Sequence, residues 1–302
     1  LYGVSFLFAT CGTTYFADMH QMLTASPLQI MAMVLFLAGL GFKLSLVPFH
    51  AWTPDVYQGA PTPVSAYLSV VSKGAAAFTL VIVLKHVFFP MADEYSLVLS
   101  ILVVVSITVA NLFAILQHDL KRFMAYSSIS QAGYIVLAAL DPSPQGMASL
   151  VYYVFVYVFA NMAIFGAITA IEAKTQAPVT MDTCRALYST NPKLSFVMTI
   201  ALFSLAGIPP FAGFFSKFFV FAAAFKAGHW IVVFIALINT VVSLYYYMLI
   251  VKAIYISPSD EPLQHFRCRR PMRWSLLLCT LALMVVGLCS AIYTYMFNAA
   301  QI

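Results

Sequence analysis

The stretch LFSLAGIPPFAGFFSKFF (Leu202 to Phe219) carries the features from which the fold can be predicted. It lies within an apolar run over residues 194–226, which is longer than the ~20 residues that a helix needs to cross a bilayer. Pro209 and Pro210 interrupt helical hydrogen bonding near the middle of this run, and Lys217 places a charge there. The sequence therefore predicts a membrane-spanning helix that is broken near its centre and carries a lysine beside the break.

The composition of the whole chain indicates a membrane protein. Of its 302 residues 63% are hydrophobic and only 8% are charged, which leaves too few charges to surround a soluble core. The apolar runs predict an all-α, polytopic transmembrane helical bundle that forms a single transmembrane domain over residues 1–302. One partial helix and eight full spans are expected, at 1–11 and at about 28–57, 63–89, 96–116, 123–140, 148–172, 194–226, 229–256 and 272–297.

The first apolar run, LYGVSFLFATC (Leu1 to Cys11), is too short to cross a bilayer. As a helix, ~11 residues rise ~16 Å, about half of the hydrocarbon core. The run begins with Leu and lacks the charged region and small-residue cleavage site of a signal peptide. We therefore expect it to be the end of a helix whose start lies upstream.

The basic residues favour one orientation in a bacterial inner membrane. Alternate loops place ten Lys and Arg on one side and only Lys85 and Lys226 on the other, so the ten-charge side is predicted to be cytoplasmic and Ile302 periplasmic. The Arg-rich segment 267–273 is interpreted as a topology determinant that also contacts anionic lipid, with docking of a partner as the alternative. The ten residues are Lys121, Arg122, Lys174, Arg185, Lys193, Lys252, Arg267, Arg269, Arg270 and Arg273.

Three further lysines, Lys43, Lys73 and Lys217, fall inside the apolar spans. A lysine at the centre of a spanning helix costs ~2.5–3.5 kcal/mol on insertion scales. Snorkelling to the headgroups is the structural alternative, but an extended side chain reaches ~6 Å while half of the core is ~15 Å thick. We expect three buried amines that face a hydrated interior and exchange protons.

The acidic residues do not offer these lysines a partner. None of the ten lies at mid-span, so we expect solvated positions in loops and at helix ends, with Glu172 at a span boundary. A relay of lysines alone lacks a carboxylate that stabilises its charged form. The partner acid is therefore expected upstream or on a neighbouring subunit.

Two of the predicted spans are long and interrupted by proline. Pro48 lies in 28–57, and Pro209 and Pro210 lie in 194–226, and by the loop count these two spans run in opposite directions. Long broken helices of opposite sense, each with a lysine, are typical of an inverted-repeat ion carrier. A plain proline kink is the alternative.

Polar side chains on the intervening spans could connect the amines. His50 is close to the first break, and Ser130, Gln131 and Tyr134 lie in the short span 123–140. Taken singly, each of the three fits a hydrogen bond between packed helices better than a place on a proton path, whereas His50 fits a path and a helix end at the interface equally well. Other polar residues within spans are Ser127, Ser128, Asn111, Asn161, Asn239, Ser243 and Tyr246.

Three stretches carry a resemblance to a known family: FKLSLVPFHAWTPDVYQGAPTPVSAYLSVVSKGAAAF (Phe42 to Phe78), LKRFMAYSSISQAGY (Leu120 to Tyr134) and the opening stretch (Leu202 to Phe219). They are similar to the antiporter-like membrane subunits of respiratory complex I, the proton-translocating NADH:quinone oxidoreductase, and most closely to the N type. The resemblance covers nearly the whole chain. It implies fourteen helices in two inverted five-helix repeats, of which this chain holds the end of the sixth and the seventh to fourteenth.

The resemblance also implies roles for the lysines. Lys43, Lys73 and Lys217 match the central-axis lysines of helices seven, eight and twelve. The M type has a glutamate where Lys217 stands, and the L type continues into a long lateral helix, so both differences favour the N type. The N-terminal third, with a fifth-helix glutamate that pairs with the helix-seven lysine, is expected upstream. This chain alone is therefore not expected to pump.

The implied function is proton translocation across the inner membrane, driven by redox chemistry in other subunits. We expect no cofactor in this chain, since it has neither a glycine-rich phosphate loop nor a cluster of cysteine ligands. NAD, FMN, iron–sulfur clusters and quinone are expected in partner subunits. The expected partners are other membrane subunits of complex I, including M-type and small K/J-type subunits, and lipid, but no nucleic acid.

Two alternatives remain open from the sequence. A subunit of a multisubunit cation/proton antiporter shares the fold and the lysines but needs no redox partner. A scaffold that only holds other membrane subunits together is the second alternative, and it predicts that pumping survives the loss of Lys73.

Overall fold

The structure, a computed structural model, describes residues 1–259, 261–289 and 291–301, so the predicted periplasmic Ile302 lies outside the described residues. Within these ranges the chain is helical and forms no β-strand, which confirms the predicted all-α membrane bundle. The helices are α1 (Tyr2–Cys11), α2 (Phe16–Met22), α3 (Pro27–Leu44), α4 (Trp52–Gly59), α5 (Thr62–Tyr67), α6 (Lys73–His86), α7 (Ala92–Ile115), α8 (Leu120–Ala138), α9 (Pro144–Thr175), α10 (Leu187–Thr190), α11 (Pro192–Ala206), α12 (Ala212–Lys226), α13 (Trp230–Tyr255), α14 (Arg270–Leu288) and α15 (Ala291–Ala300).

Six helical segments in the described part of the chain are long and apolar enough to cross a membrane. The predicted spans 123–140 and 194–226 are not among them. The first corresponds to α8, which is rich in polar residues, and the second is divided into α11 and α12 of 15 residues each. The six segments are Pro27–Leu44, Thr62–His86, Phe89–Ile115, Pro144–Thr175, Trp230–Tyr255 and Arg270–Leu288.

Helix α8 occupies the centre of the bundle. Every residue of α8 except Arg122 is buried, and the helix contacts α4, α7, α9 and α12. Gly133 permits the close approach of α7, because a Cβ there would lie 2.5 Å from the Ile107 Cγ2 atom. A polar helix can cross the bilayer here because protein surrounds it instead of lipid.

The first break separates α3 from α4, and Pro48 lies between them. Helix α3 ends with Ser45 in the left-handed conformation at φ 62°. The Val47 N–H donates to the Ser106 hydroxyl of α7 over 2.9 Å, and the Trp52 indole N–H donates to the Phe42 carbonyl over 3.2 Å. Tertiary contacts thus satisfy backbone groups that the interrupted helix leaves free.

The second break separates α11 from α12, with Pro209 and Pro210 between them. Gly207 ends α11 at φ 85°, a conformation that favours glycine. The Gly213 N–H donates to the Ser204 hydroxyl over 3.1 Å, and a Cβ on Gly213 would lie 1.6 Å from the Ser204 carbonyl oxygen. That the prolines themselves cause the two breaks stays a prediction.

The predicted continuous helix 272–297 is wrong, because α14 ends at Leu288 and α15 follows separately. The end of α14 lies against the second break: a Cβ on Gly287 would lie 2.5 Å from the Pro210 carbonyl oxygen. The Tyr152 hydroxyl donates to the Val286 carbonyl over 3.1 Å. These contacts stabilise an early helix end that local sequence did not indicate.

The loops between the helices gather at two ends of the bundle. At one end the Lys121 ammonium donates to the Ala60 carbonyl over 3.1 Å, which joins the α4–α5 and α7–α8 connections. At the opposite end Lys226 donates to Gln145 over 3.0 Å. We call the first the basic end, since it holds the loops that carry most of the Lys and Arg residues.

Candidate functional site

The structure separates the three predicted lysines into two classes. Lys73 and Lys217 are buried, with 1% and 4% of their surface exposed, whereas Lys43 is exposed on the described chain. The expectation of a buried amine is therefore wrong for Lys43 in this chain. Lys43 lies on a face of α3 that does not pack against the bundle. The buried residues of α3 define the packed face, and they are Gln29, Ala32, Met33, Leu37, Gly41 and Leu44.

Lys73 lies in a cluster of hydroxyl groups. Its ammonium donates to the Ser128 hydroxyl over 2.6 Å. Ser128 and Tyr157 share a hydrogen bond of 2.8 Å, and Tyr157 and Ser69 share one of 2.9 Å. The Lys73 nitrogen also lies 5.7 Å from the centroid of the Tyr57 ring. This cluster joins α4, α6, α8 and α9 around one amine.

A π-helical turn, Leu68–Ser72, precedes Lys73 and joins α5 to α6. Such wide turns occur often at functional sites, because the extra residue changes the direction in which the following side chains point. Ser69, within this turn, lies 3.3 Å from the same Ser128 hydroxyl that accepts from Lys73. The turn therefore directs two polar groups of one helix to one partner.

Lys217 is held by the second break. Its ammonium donates to the Ala206 carbonyl over 3.1 Å, and its nitrogen lies 5.0 Å from the centroid of the Tyr134 ring. Ala206 is the last residue of α11, so its carbonyl lacks a helical partner. The C-terminal end of a helix also favours a positive charge. The break thus supplies the binding partner of this lysine.

Neither buried lysine has a carboxylate partner among the described residues. The ion pairs in this part of the chain are Lys121 with Glu172, Arg122 with Asp55, and Arg185 with Asp182. All three lie in or beside the loops of the basic end. The two central amines are therefore stabilised by hydroxyl groups, a backbone carbonyl and aromatic rings only.

Gln131 of α8 bonds to the end of α11, beside Lys217, and to two tyrosines. Its amide nitrogen donates to the Leu205 carbonyl over 3.2 Å and to the Tyr247 hydroxyl over 3.1 Å, while its amide oxygen accepts from the Tyr153 hydroxyl. The Tyr247 and Ser127 hydroxyls lie 2.6 Å apart. Gln131 and Lys217 therefore satisfy the carbonyls of the last two residues of α11, Leu205 and Ala206.

A small internal cavity borders both sites. Gln131, Tyr153, Tyr157 and Lys217 line it, and Tyr157 also bonds to Ser128, the partner of Lys73. Side chains of both lysine clusters thus face one cavity. Gln131, Lys217 and Tyr157 of the Lys73 cluster line this cavity, and a connected path between the two lysines stays a prediction.

The other predicted residues occupy different positions. The Tyr134 hydroxyl lies 3.4 Å from the Ala236 carbonyl, to which it donates, and its ring faces Lys217. The buried Ser130 hydroxyl and the half-buried His50 Nδ1 have no hydrogen-bonding partner within the described residues. His50 lies in the first break, between α3 and α4.

Unpartnered buried polar atoms concentrate around the first break. Ser45, His50, Thr53 and Tyr57 each have one such atom in the described chain. An unpaired buried polar group costs about 1–3 kcal/mol, so this region favours bound water. The polar band at Lys73 therefore continues towards the break that follows Lys43.

Several residues of the site were missed by the sequence analysis. They are the tyrosines that surround the amines and one serine of the π-helical turn: Tyr57, Tyr153, Tyr157, Tyr247 and Ser69. Tyr153 and Tyr157 are four residues apart, as are Tyr157 and Asn161, so all three share one face of α9. This four-residue spacing of polar residues could have identified the face of α9 that meets the site.

The sequence and the fold are both similar to known proteins. The family described as NADH:quinone oxidoreductase/Mrp antiporter, transmembrane, matches residues 1–243. The NADH-quinone oxidoreductase subunit N of Phocaeicola vulgatus is 60% identical over 300 residues, which cover 99% of this chain and 64% of that protein. The chain thus spans less than two thirds of the length of this relative.

Two solved structures share the architecture. A chain of respiratory complex I from Thermus thermophilus superposes with a TM-score of 0.77 at 34% identity, covering 95% of this chain and 62% of that one. A chain of the Mrp complex from a Dietzia species gives 0.88 at 21% identity, covering 99% and 64%, which supports the fold alone. These findings confirm the resemblance to subunit N, and the chain belongs to the NADH:quinone oxidoreductase/Mrp antiporter family of transmembrane proteins.

Proposed function

We propose that this chain is a membrane subunit of a proton-translocating NADH:quinone oxidoreductase, in which Lys43, Lys73 and Lys217 carry protons along the middle of the membrane. Energy comes from redox chemistry in partner subunits, and the chain itself performs no redox step. The assignment to this complex is supported by the similarity to a relative of 60% identity, which is named NADH-quinone oxidoreductase subunit N.

The observation that carries this proposal is that Lys73 and Lys217 are both buried and that neither has a carboxylate partner among the described residues. An uncompensated ammonium inside a membrane is expensive, and such residues usually mark ion pathways. A neutral amine in the same place is tolerated much better. Two sites that alternate between these states can exchange a proton when hydroxyl groups and water complete the path between them, because both groups donate and accept.

Lys43 has a different role in this proposal. Because it is exposed on the described chain, a charged group of another helix or subunit can approach it directly. Lys43 then responds electrostatically to that group, Lys73 passes the proton along the axis, and Lys217 takes part in exchange at the far half of the path. The unpartnered polar atoms at the first break favour hydration between Lys43 and Lys73.

Replacement of the lysines by alanine tests the proposal. We expect Lys43→Ala, Lys73→Ala and Lys217→Ala to assemble, because helices tolerate the apolar substitution, and to lose most NADH-driven acidification of membrane vesicles. The matched control is Lys226→Ala, which removes an exposed lysine that bonds to Gln145 at a helix end and should pump normally. Normal pumping by Lys73→Ala and Lys217→Ala contradicts the relay and favours a scaffold.

A cation/proton antiporter subunit is the second candidate, because the family description includes Mrp antiporters. The two functions differ in their energy source. Co-purification of the chain with flavin and iron–sulfur proteins supports the oxidoreductase. Cation-driven proton transport in vesicles without NADH, together with the absence of such proteins, supports the antiporter.

The remaining parts of the proposal concern location and partners. We place the protein in the bacterial inner membrane beside M-type and small K/J-type membrane subunits, with NAD, FMN, iron–sulfur clusters and quinone bound elsewhere in the complex. The basic end is cytoplasmic and the C-terminus periplasmic in this proposal.

Cysteine labelling tests the orientation. A membrane-impermeant thiol reagent applied from the periplasm should label a cysteine at position 302 and not one at position 270, after the native exposed Cys289 has been replaced. The reverse pattern contradicts the proposed topology.

A further inference from the structure

The ion pair between Lys121 and Glu172 differs from the other two ion pairs of the described chain. Its charged atoms are 3.3 Å apart, and the two side chains are only 11% and 24% exposed. The carboxylates of the other pairs, Asp55 and Asp182, are about 70% exposed. Glu172 lies near the end of α9, as expected for a span boundary, but it is only partly exposed because its carboxylate also accepts a hydrogen bond from the buried Thr62 hydroxyl.

A row of buried hydroxyl groups leads from Glu172 towards Lys73. Thr62, Ser65, Ser69 and Lys73 follow one another at intervals of three or four residues, so they share one face of the α5–α6 segment. All four are buried. Neighbours at this spacing have Cβ atoms about 5–6 Å apart, a gap that one water molecule between two hydroxyls can bridge.

Helix α4 forms the opposite wall of this row. Ser65 donates to the Tyr57 carbonyl over 2.8 Å, and the Tyr57 ring faces the Lys73 ammonium. The Tyr57 hydroxyl is fully buried and has no hydrogen-bonding partner among the described residues. A buried hydroxyl of this kind favours a bound water, and Tyr57 offers such a position beside the row.

The row extends from Lys73 in one direction only. Beyond Lys73, towards the opposite end of the bundle, the buried face of α6 is apolar and is formed by Gly74, Ala76, Ala77, Leu80, Val83 and Leu84. Protons do not cross such a surface without polar groups or water. On this helix, polar access to Lys73 therefore comes from the basic end.

We propose that Glu172 is the carboxylate through which Lys73 exchanges its proton with the aqueous phase at the basic end, and that Lys121 positions it. This inference rests on the proposed function, since it assigns a water-accessible terminus to the same relay. Glu172 is partly exposed on one side and bonded to Thr62 on the other, so it contacts both water and the hydroxyl row.

The transfer balances in protons and charge. A proton from water neutralises the Glu172 carboxylate, and the carboxyl group then donates to the Thr62 oxygen while the Thr62 hydroxyl proton turns inward. Each hydroxyl or bridging water accepts one proton and releases one, until the neutral amine of Lys73 becomes an ammonium and Glu172 is again a carboxylate. Lys121 keeps its bond to the Ala60 carbonyl when Glu172 is neutral, so its charge stays satisfied.

The test measures NADH-driven acidification by assembled complexes in membrane vesicles. We expect Glu172→Gln to slow pumping at least about tenfold, because the amide cannot take up and release a proton. Thr62→Val should also slow pumping, since it removes the first hydroxyl of the row and leaves the ion pair intact. Asp182→Asn, which neutralises the carboxylate of an exposed ion pair at the same end, should pump normally.

A purely structural ion pair predicts a different pattern. Lys121→Gln breaks the same pair but leaves the carboxylate, so we expect a smaller loss of pumping than in Glu172→Gln. Equal losses in these two variants, or normal pumping in Thr62→Val, overturn the inference. If Lys73→Ala abolishes pumping while Glu172→Gln pumps normally, this inference fails and the proposed function stands. If Lys73→Ala pumps normally, the proposed function itself fails.

Discussion

Lys73 and Lys217 reach the same degree of burial by different means. Lys73 donates to the Ser128 hydroxyl within a cluster of side chains, and a π-helical turn precedes it. Lys217 donates to the Ala206 carbonyl, a backbone group that the end of α11 leaves free. Lys73 is therefore stabilised by polar side chains, and Lys217 by a backbone carbonyl that is free because a helix is interrupted.

This difference has a chemical consequence. A hydroxyl group both accepts and donates, so Ser128 can receive a proton from Lys73 and release another to Tyr157. A backbone carbonyl only accepts, so it stabilises the ammonium form of Lys217 without passing the proton on. We infer that Lys73 is suited to relay protons and Lys217 to hold one until its surroundings change.

Removal of the Ser128 hydroxyl is the strongest perturbation of this comparison. We expect Ser128→Ala to lower the rate of NADH-driven acidification about tenfold, because Lys73 then loses the hydroxyl partner that can pass its proton. Tyr157→Phe removes the next hydroxyl and should act in the same direction. The assay uses vesicles with equal amounts of assembled complex.

Ser195→Ala is the matched control, since its buried hydroxyl donates to the carbonyl of Asn191, the residue that precedes its own helix. It should pump at the normal rate. If Ser128→Ala also pumps normally, Lys73 does not need a hydroxyl partner to pass its proton, and the proposed difference between Lys73 and Lys217 is wrong.

A smaller effect is expected from the backbone that holds Lys217. Gly207 has φ 85°, and a Cβ there would lie 3.0 Å from the Lys217 Cδ atom. Gly207→Ala should lower the stability of the protein by about 1–2 kcal/mol through the left-handed conformation and should also displace the lysine. Thermal unfolding and vesicle acidification measure the two effects separately.

Gly228→Ala is the control that separates the effect of backbone strain from the effect of contact with Lys217. Gly228 has φ 90° but nothing within 4 Å of an added Cβ, so the variant should lose similar stability and keep normal pumping. Equal pumping by the two variants would show that the approach of Gly207 to Lys217 is unimportant.

The sequence predicted those features that depend on the chemistry of single residues. Lys73 and Lys217 are too far inside apolar runs to reach the headgroups, and both are buried in the structure. Gln131, a polar residue on a short span, bonds to the Leu205 carbonyl next to the one that holds Lys217, while its part in a proton path stays a prediction. The bundle of helices and its family followed from composition and from long ordered motifs.

Features that depend on neighbouring helices could not be predicted. Lys43 is as deep in its apolar run as the other two lysines, but the face of α3 that meets the bundle decides its exposure. Glu172 was assigned to solvent because nothing in its local sequence indicates Lys121, which lies 51 positions earlier. The end of α14 is likewise set by the contact of Gly287 with the second break.

The central claim, that a buried lysine takes up and releases a proton, is tested most directly by arginine at position 217. Lys217→Arg keeps a positive charge and can still donate to the Ala206 carbonyl, but a guanidinium with a pKa above ~12 does not release its proton. We predict that complexes with Lys217→Arg assemble and do not acidify vesicles when NADH is oxidised. Acidification at the normal rate by Lys217→Arg would contradict the account, because the charge alone would then suffice.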